Sequence, residues 1–170
     1  MGFLRHRDDP PDGRRFQMRE KLASIGDDSW IEDDQGQRVY KVDGKALRVR
    51  DTFILKDSDG NEVAKIQEKK LRVRDTMQVE RDGKMVATVH KALVGIRDRF
   101  DIDIEGGEDL KAHGNFVDHE YEIKRDGDVI ATISKKWLRV RDTYGVQIRS
   151  GEDEALLLTL TVALDDMSHR

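Results

Sequence analysis

The sequence contains no cysteine. Disulfides, thiolate metal sites and cysteine nucleophiles are therefore excluded, and the composition accords with a reducing compartment. Proline occurs only twice, as Pro10-Pro11, so the remaining backbone keeps every N–H for pairing. Aromatic residues make up 6% of the chain, too sparse for a stacking platform that would hold single-stranded nucleic acid. No apolar run approaches the roughly 18 residues that a membrane-spanning helix requires. The opening stretch MGFLRHRDDPPDGRR lacks the continuous apolar segment of a secretory signal. A formal net charge of −4, with 39% charged residues, gives no global drive toward nucleic acid. The expected location is cytoplasmic. Residues 1–13 read as a leader, ahead of one domain over 14–170.

What is present is repetition. The string LRVRDT occurs at 47–52, 71–76 and 138–143. Degenerate copies begin at Val94 (VGIRDR) and Asn115 (NFVDHE), which gives five units spaced by 21 to 24 residues. Asp59-Gly60, Asp82-Gly83 and Asp126-Gly127 lie eleven residues before Leu71, Val94 and Leu138. Asp-Gly between alternating segments is a hairpin signal, because a type I′ turn needs positive φ at both central residues. Each unit then reads as two strands: one such as EVAKIQEKK (62–70) or DVIATISKK (128–136), and one carrying the LRVRDT string. Further strands are expected around Arg15–Arg19 and Ser29–Asp33. Tight hairpins favour an antiparallel meander over a solenoid of parallel turns, and closure removes exposed edges.

From Glu152 the pattern changes. The run 155–164, ALLLTLTVAL, is apolar on nearly every face, and acidic residues precede it. This predicts a helix over about 152–166 with its dipole complemented at the start. Such a helix must be surrounded on all sides. The expected fold is thus mainly β, a closed antiparallel barrel of about 12 strands enclosing a hydrophobic C-terminal helix.

Alternation along the strands places Leu71, Val73, Met77 and Val79 on the core face, with Leu47, Val49, Phe53 and Leu55, and Leu138, Val140, Tyr144, Val146 and Ile148, in the same role. Asp51, Asp75, Asp98 and Asp142 share that inward parity, and His119 holds the matching place in the weak unit. Inward carboxylates need partners. Either they accept backbone N–H groups at bulges, or they form a layer with His119 that serves as a metal or acid–base site. A motif copied in several units favours the local, structural explanation. Outward cations recur beside it: Arg48, Arg50, Lys69, Lys70, Arg72, Arg74, Lys135, Lys136, Arg139 and Arg141. They would form a belt near one end of the barrel, able to meet an anionic ligand. No nucleophile elbow, phosphate-cradling loop or zinc-helix motif is present, and no cofactor is expected. Asp57-Ser58-Asp59-Gly60-Asn61 reads as a turn rather than a calcium loop, because its glycine comes too early.

Several stretches carry a resemblance to a family: Gly114-Asn115-Phe116 with Tyr121-Glu122-Ile123, Ile133-Ser134-Lys135-Lys136-Trp137, Asp142-Thr143-Tyr144-Gly145-Val146, Gly151-Glu152-Asp153, and Ala163-Leu164-Asp165. In these the sequence resembles the LURP-one-related family over about residues 15–166. That resemblance implies the fold shared with tubby C-terminal domains and phospholipid scramblases, and it implies no catalytic set. It is compatible with a non-enzymatic binding or scaffold role, at an anionic lipid surface or with a protein partner, in a cytoplasmic protein peripheral to the membrane.

Overall fold

The structure is a computed structural model that describes residues 12–19, 28–44, 52–70, 75–92, 99–138 and 141–168. Twelve strands run in chain order: β1 (Arg15–Arg19), β2 (Ser29–Asp33), β3 (Arg38–Asp43), β4 (Thr52–Asp57), β5 (Glu62–Lys70), β6 (Asp75–Arg81), β7 (Lys84–Lys91), β8 (Arg99–Ile104), β9 (Leu110–Asn115), β10 (Glu120–Arg125), β11 (Asp128–Ser134) and β12 (Thr143–Ile148). One helix, α1 (Glu154–Ser168), follows. Each strand pairs antiparallel with its chain neighbour, and β1 pairs with β12, so the sheet closes into a barrel. Closure leaves no long edge to template aggregation.

The expected alternation appears on the described strands. Phe53, Leu55, Met77, Val79, Tyr144, Val146 and Ile148 are all buried. Inward alanines sit opposite larger residues across the ladder: Ala64 faces Leu55, Ala87 faces Val79, and Ala112 faces Phe100. Alternating small and large side chains in this way leaves room at the centre. The helix takes that room. Residues 157–165 are buried without interruption, which covers more than two turns and hence every face. Asp153 starts the helix: its carboxylate accepts the Leu156 N–H at 3.1 Å, satisfying one of the donors a helix leaves unpaired at its start. Thr159 and Thr161 donate to the carbonyls of Ala155 and Leu157, at 2.6 and 2.8 Å. Their hydroxyls are therefore satisfied inside the helix, which is how two threonines fit an apolar core.

Three expectations need correction. First, Asp82-Gly83 and Asp126-Gly127 have positive φ at both residues, but of Asp59-Gly60 only Gly60 does. There the Asp57 carboxylate accepts the N–H groups of Asp59 and Asn61, and this favours a different turn. Second, the third LRVRDT copy joins a strand only at Thr143 among its described residues. Among its described residues, Leu138 lies in an irregular stretch, Arg141 and Asp142 lie in a turn, and β12 begins at Thr143. The Trp137 ring folds back to cover Gly145, where an added Cβ would come within 2.7 Å of it. Third, the weak unit at Asn115 is the turn between β9 and β10 rather than a strand. His119 occupies it with φ 53°.

Candidate functional site

The inward layer does not assemble among the described residues. Asp142 is exposed and left-handed, with φ 59°, so it lies outside the β12 alternation; aspartate tolerates that conformation better than most residues. His119 is buried, at 1% exposure. The two matching positions therefore face opposite ways. Asp51 and Asp98 lie outside the described residues. Asp75 opens β6 opposite Lys70, with its side chain outside the description. No group of three or more histidine or carboxylate side chains able to hold a metal ion occurs among the described residues.

His119 instead meets a residue the alternation did not single out. Its Nε2 lies 2.6 Å from Asp165 Oδ1, across 46 residues of chain. Asp165 is 3% exposed. The imidazole stacks on the Tyr144 ring at 4.2 Å. The Tyr121 hydroxyl faces Thr161, and its pKa is pushed well above the ordinary value, first by burial and next by the charge of Asp165. A histidine, a carboxylate and two phenols thus gather around the second half of α1. Because they are sealed from solvent, no substrate reaches them. The cluster fixes the register of the helix in the barrel, as buried polar pairs can. The sequence held one signal for it: a carboxylate in a helix apolar all round needs an internal partner.

A second hydrogen-bond chain runs over the outside. Thr76 Oγ1 lies 3.2 Å from His90 Nδ1, and His90 Nε2 lies 3.0 Å from Asp103 Oδ2. The order of hydroxyl, imidazole and carboxylate is that of a hydrolase triad. Thr76 is only 2% exposed, however, so its hydroxyl is no accessible nucleophile. The chain links three neighbouring strands, β6, β7 and β8.

The two ends of the barrel differ in charge. An antiparallel meander puts alternate connections at the same end. The connections 34–37, 58–61, 82–83, 105–109, 126–127 and 149–153 share one end, and each is net negative. At the other end, the described residues of the β11–β12 connection include Lys135, Lys136 and Arg141 against Asp142, a net positive set. Of the expected cationic belt, Lys136 and Arg141 are exposed, and Lys69 and Lys135 are half-buried. The Lys135 backbone N–H donates to Glu120, which also accepts from the Ser134 hydroxyl. Arg48, Arg50, Arg72, Arg74 and Arg139 lie outside the described residues, as does the side chain of Lys70.

Beside that end, one ladder of the barrel is short. Pairing of β1 with β2 covers only Phe16 with Asp33 and Gln17 with Glu32. A cleft of about 320 Å³ lies there; among its lining residues are Arg19, Asp28, Trp30, Glu32, Arg38 and Arg141. The Arg38 guanidinium sits 5.2 Å from the centre of the Trp30 ring. The Lys41 ammonium binds Asp28 at 2.8 Å, and that hydrogen bond holds the lysine pKa above its ordinary value.

A family model described as LURP-one-related matches residues 14–165. The chain belongs to the LURP-one-related family. A search of curated proteins found no match. The crystal structure of an Arabidopsis thaliana protein superimposes with a TM-score of 0.70 at 19% identity, covering 95% of this chain and 94% of that one. At that identity the likeness concerns the fold alone. For this LURP-one-related barrel, then, the family and the neighbour account for the closed strands and the C-terminal helix. The buried His119–Asp165 pair, the basic end and the β1–β2 cleft are read from the residues themselves. No helix of the described residues is long and apolar enough to cross a membrane.

Proposed function

We propose that this LURP-one-related barrel is a non-catalytic binding module that docks its basic end on an anionic lipid surface. The observation that supports the reading best is the negative charge of the hairpin connections at one end, set against the exposed cations Lys136 and Arg141 at the other. Such a molecule is oriented by the negative potential of a membrane leaflet, with its basic end toward the headgroups. Lys136 and Arg141 are the exposed cations of the belt on described residues. The barrel interior supports no rival role, because the helix fills it and the polar groups inside are sealed from solvent. The setting that suits this reading is cytoplasmic, with reversible contact at the membrane.

Vesicle sedimentation at low ionic strength tests it. The protein should pellet with vesicles containing phosphatidylserine and stay in the supernatant with phosphatidylcholine alone. Raising the salt should release it, since exposed charges are screened over about 10 Å at 0.1 M. Free inositol hexakisphosphate separates the two sources of phosphate. If it strips the protein from vesicles at low concentration, a soluble phosphorylated ligand is the better reading. Equal absence from both pellets at low salt would remove the membrane role.

A further inference from the structure

We infer that the pocket where α1 enters the barrel takes an aliphatic side chain from a lysine- or arginine-rich segment of a partner protein. The inference starts from the connection between β8 and β9. It holds Gly106 and Gly107 in succession, so neither position sends a side chain over the mouth of the barrel. Gly107 instead brings its backbone against Ile104, where an added Cβ would lie 3.2 Å from the Ile104 side chain. Asp109 accepts the Ile104 N–H at 2.9 Å and so holds the connection in shape. A pocket of about 270 Å³ is left between this connection and the first turn of α1. That exceeds the roughly 150 Å³ in which an apolar cavity holds benzene. Its apolar walls are Ile104, Leu110, Leu156 and Leu157. Leu110 and Leu157 belong to the core, whereas Ile104 and Leu156 are only half-buried. An aliphatic side chain seated there would extend the core outward and complete the burial of both.

The rim chooses the flanking charges. Glu108, Glu152 and Asp153 line the pocket with one cation, Arg125. Arg125 donates to both oxygens of Glu152, at 2.7 and 2.8 Å, so its charge is met. Asp153 pairs with Arg81 at 2.6 Å. The positive end of the helix dipole is met as well, by the Asp153 cap and by Glu154 in the first turn. Glu108 is the acid that greets an incoming cation, exposed on the rim with Glu105 in the same connection. Around it, all six connections of this end are net negative. Such a field draws a cationic segment and repels an acidic one. Lysine or arginine on either side of an aliphatic anchor therefore fits both walls and rim. This end lies opposite Lys136 and Arg141, so the inference stands apart from the membrane reading, and one molecule can meet a lipid surface and a partner together.

Binding of a labelled, capped peptide with a central leucine flanked by lysines tests this, read by fluorescence anisotropy on the full chain. The leucine peptide should bind. The same peptide with serine in place of leucine keeps its charge and should bind about tenfold more weakly, the loss of one buried aliphatic side chain. A version with glutamate in place of lysine should not bind. Glu108→Lys reverses an exposed rim charge and should weaken the leucine peptide by about fivefold or more. Leu156→Gln removes part of the apolar wall and should weaken it by about tenfold; because Glu108→Lys alters only an exposed side chain, the test does not depend on that variant folding. Lys136→Glu should leave peptide binding unchanged and weaken vesicle binding, whereas Glu108→Lys should leave vesicle binding intact, which separates this inference from the membrane reading. Equal binding by the serine peptide, absence of binding by the leucine peptide, or an unchanged affinity in Glu108→Lys would overturn it. So would self-association in sedimentation velocity that Glu108→Lys abolishes, since a second copy of the chain would then be the occupant.

Discussion

Replacing His119 by alanine removes the one histidine among the described residues that the barrel encloses against its helix. His119 is 1% exposed, Asp165 is 3% exposed, and they meet at 2.6 Å. Removing one partner of a buried, hydrogen-bonded polar pair of this kind costs about 3–5 kcal/mol, because the group left behind keeps its desolvation and loses its hydrogen bond. The lost stack on Tyr144, at 4.2 Å, adds about 0.5–1.5 kcal/mol. Together these reach about 4–6 kcal/mol, a fall in Tm on the order of 10–20 °C for a chain of this length. Thermal unfolding followed by circular dichroism measures it. Asp165→Ala should cost a similar amount. The double variant His119→Phe with Asp165→Leu should recover most of the loss, since apolar replacement of a whole buried pair is often near neutral. A His119→Ala protein within about 0.5 kcal/mol of the parent, or strictly additive single losses, would refute a coupled structural pair.

Two further outcomes follow from single positions. Gly114 has φ 139°, and a Cβ there would lie 2.6 Å from the Glu120 carbonyl oxygen and 2.7 Å from Tyr121 Cα. Backbone cannot yield as a flexible side chain does, so Gly114→Ala should destabilise by more than about 2 kcal/mol in urea unfolding. Arg125 donates to both oxygens of Glu152, at 2.7 and 2.8 Å, and this bond is the main cause holding the Glu152 pKa below its ordinary value of 4.5. A depressed carboxylate pKa contributes stability above the unfolded value and loses it as pH falls through the folded one. Arg125→Leu should therefore be less stable than the parent at pH 7, by about 1 kcal/mol. The gap should close as pH drops below 4.5, in parallel melts across that range; a constant gap would contradict the assignment.

The strands and the helix were legible in the sequence because each rests on a local pattern. β1 and β2 fall where the sequence placed them, and the apolar run from 155 forms α1 over Glu154–Ser168. In the third LRVRDT copy, the alternation that predicted a strand does not hold at Leu138, Arg141 and Asp142. There Trp137 folds over Gly145 and Arg15 stacks on its ring at 4.4 Å, so tertiary contacts override the strand pattern. Asp142 and His119 both adopt left-handed φ, which breaks the period-two count on which the inward layer depended. The His119–Asp165 contact spans 46 residues and leaves no periodic trace. The β1–β2 cleft is less legible still, since it depends on where a ladder stops rather than on which residues compose it.

Charge reversal at the basic end gives the most direct test of the binding account. Lys136→Glu with Arg141→Glu should abolish sedimentation with phosphatidylserine vesicles, because each cation near such a surface contributes about 1 kcal/mol, or about fivefold in affinity. Lys84→Glu, next to the hairpin turn at the opposite end, applies the same kind of charge change and should leave sedimentation unaltered. Equal loss in both proteins, or retention in the double reversal, would contradict the claim that this end of the barrel carries the interaction.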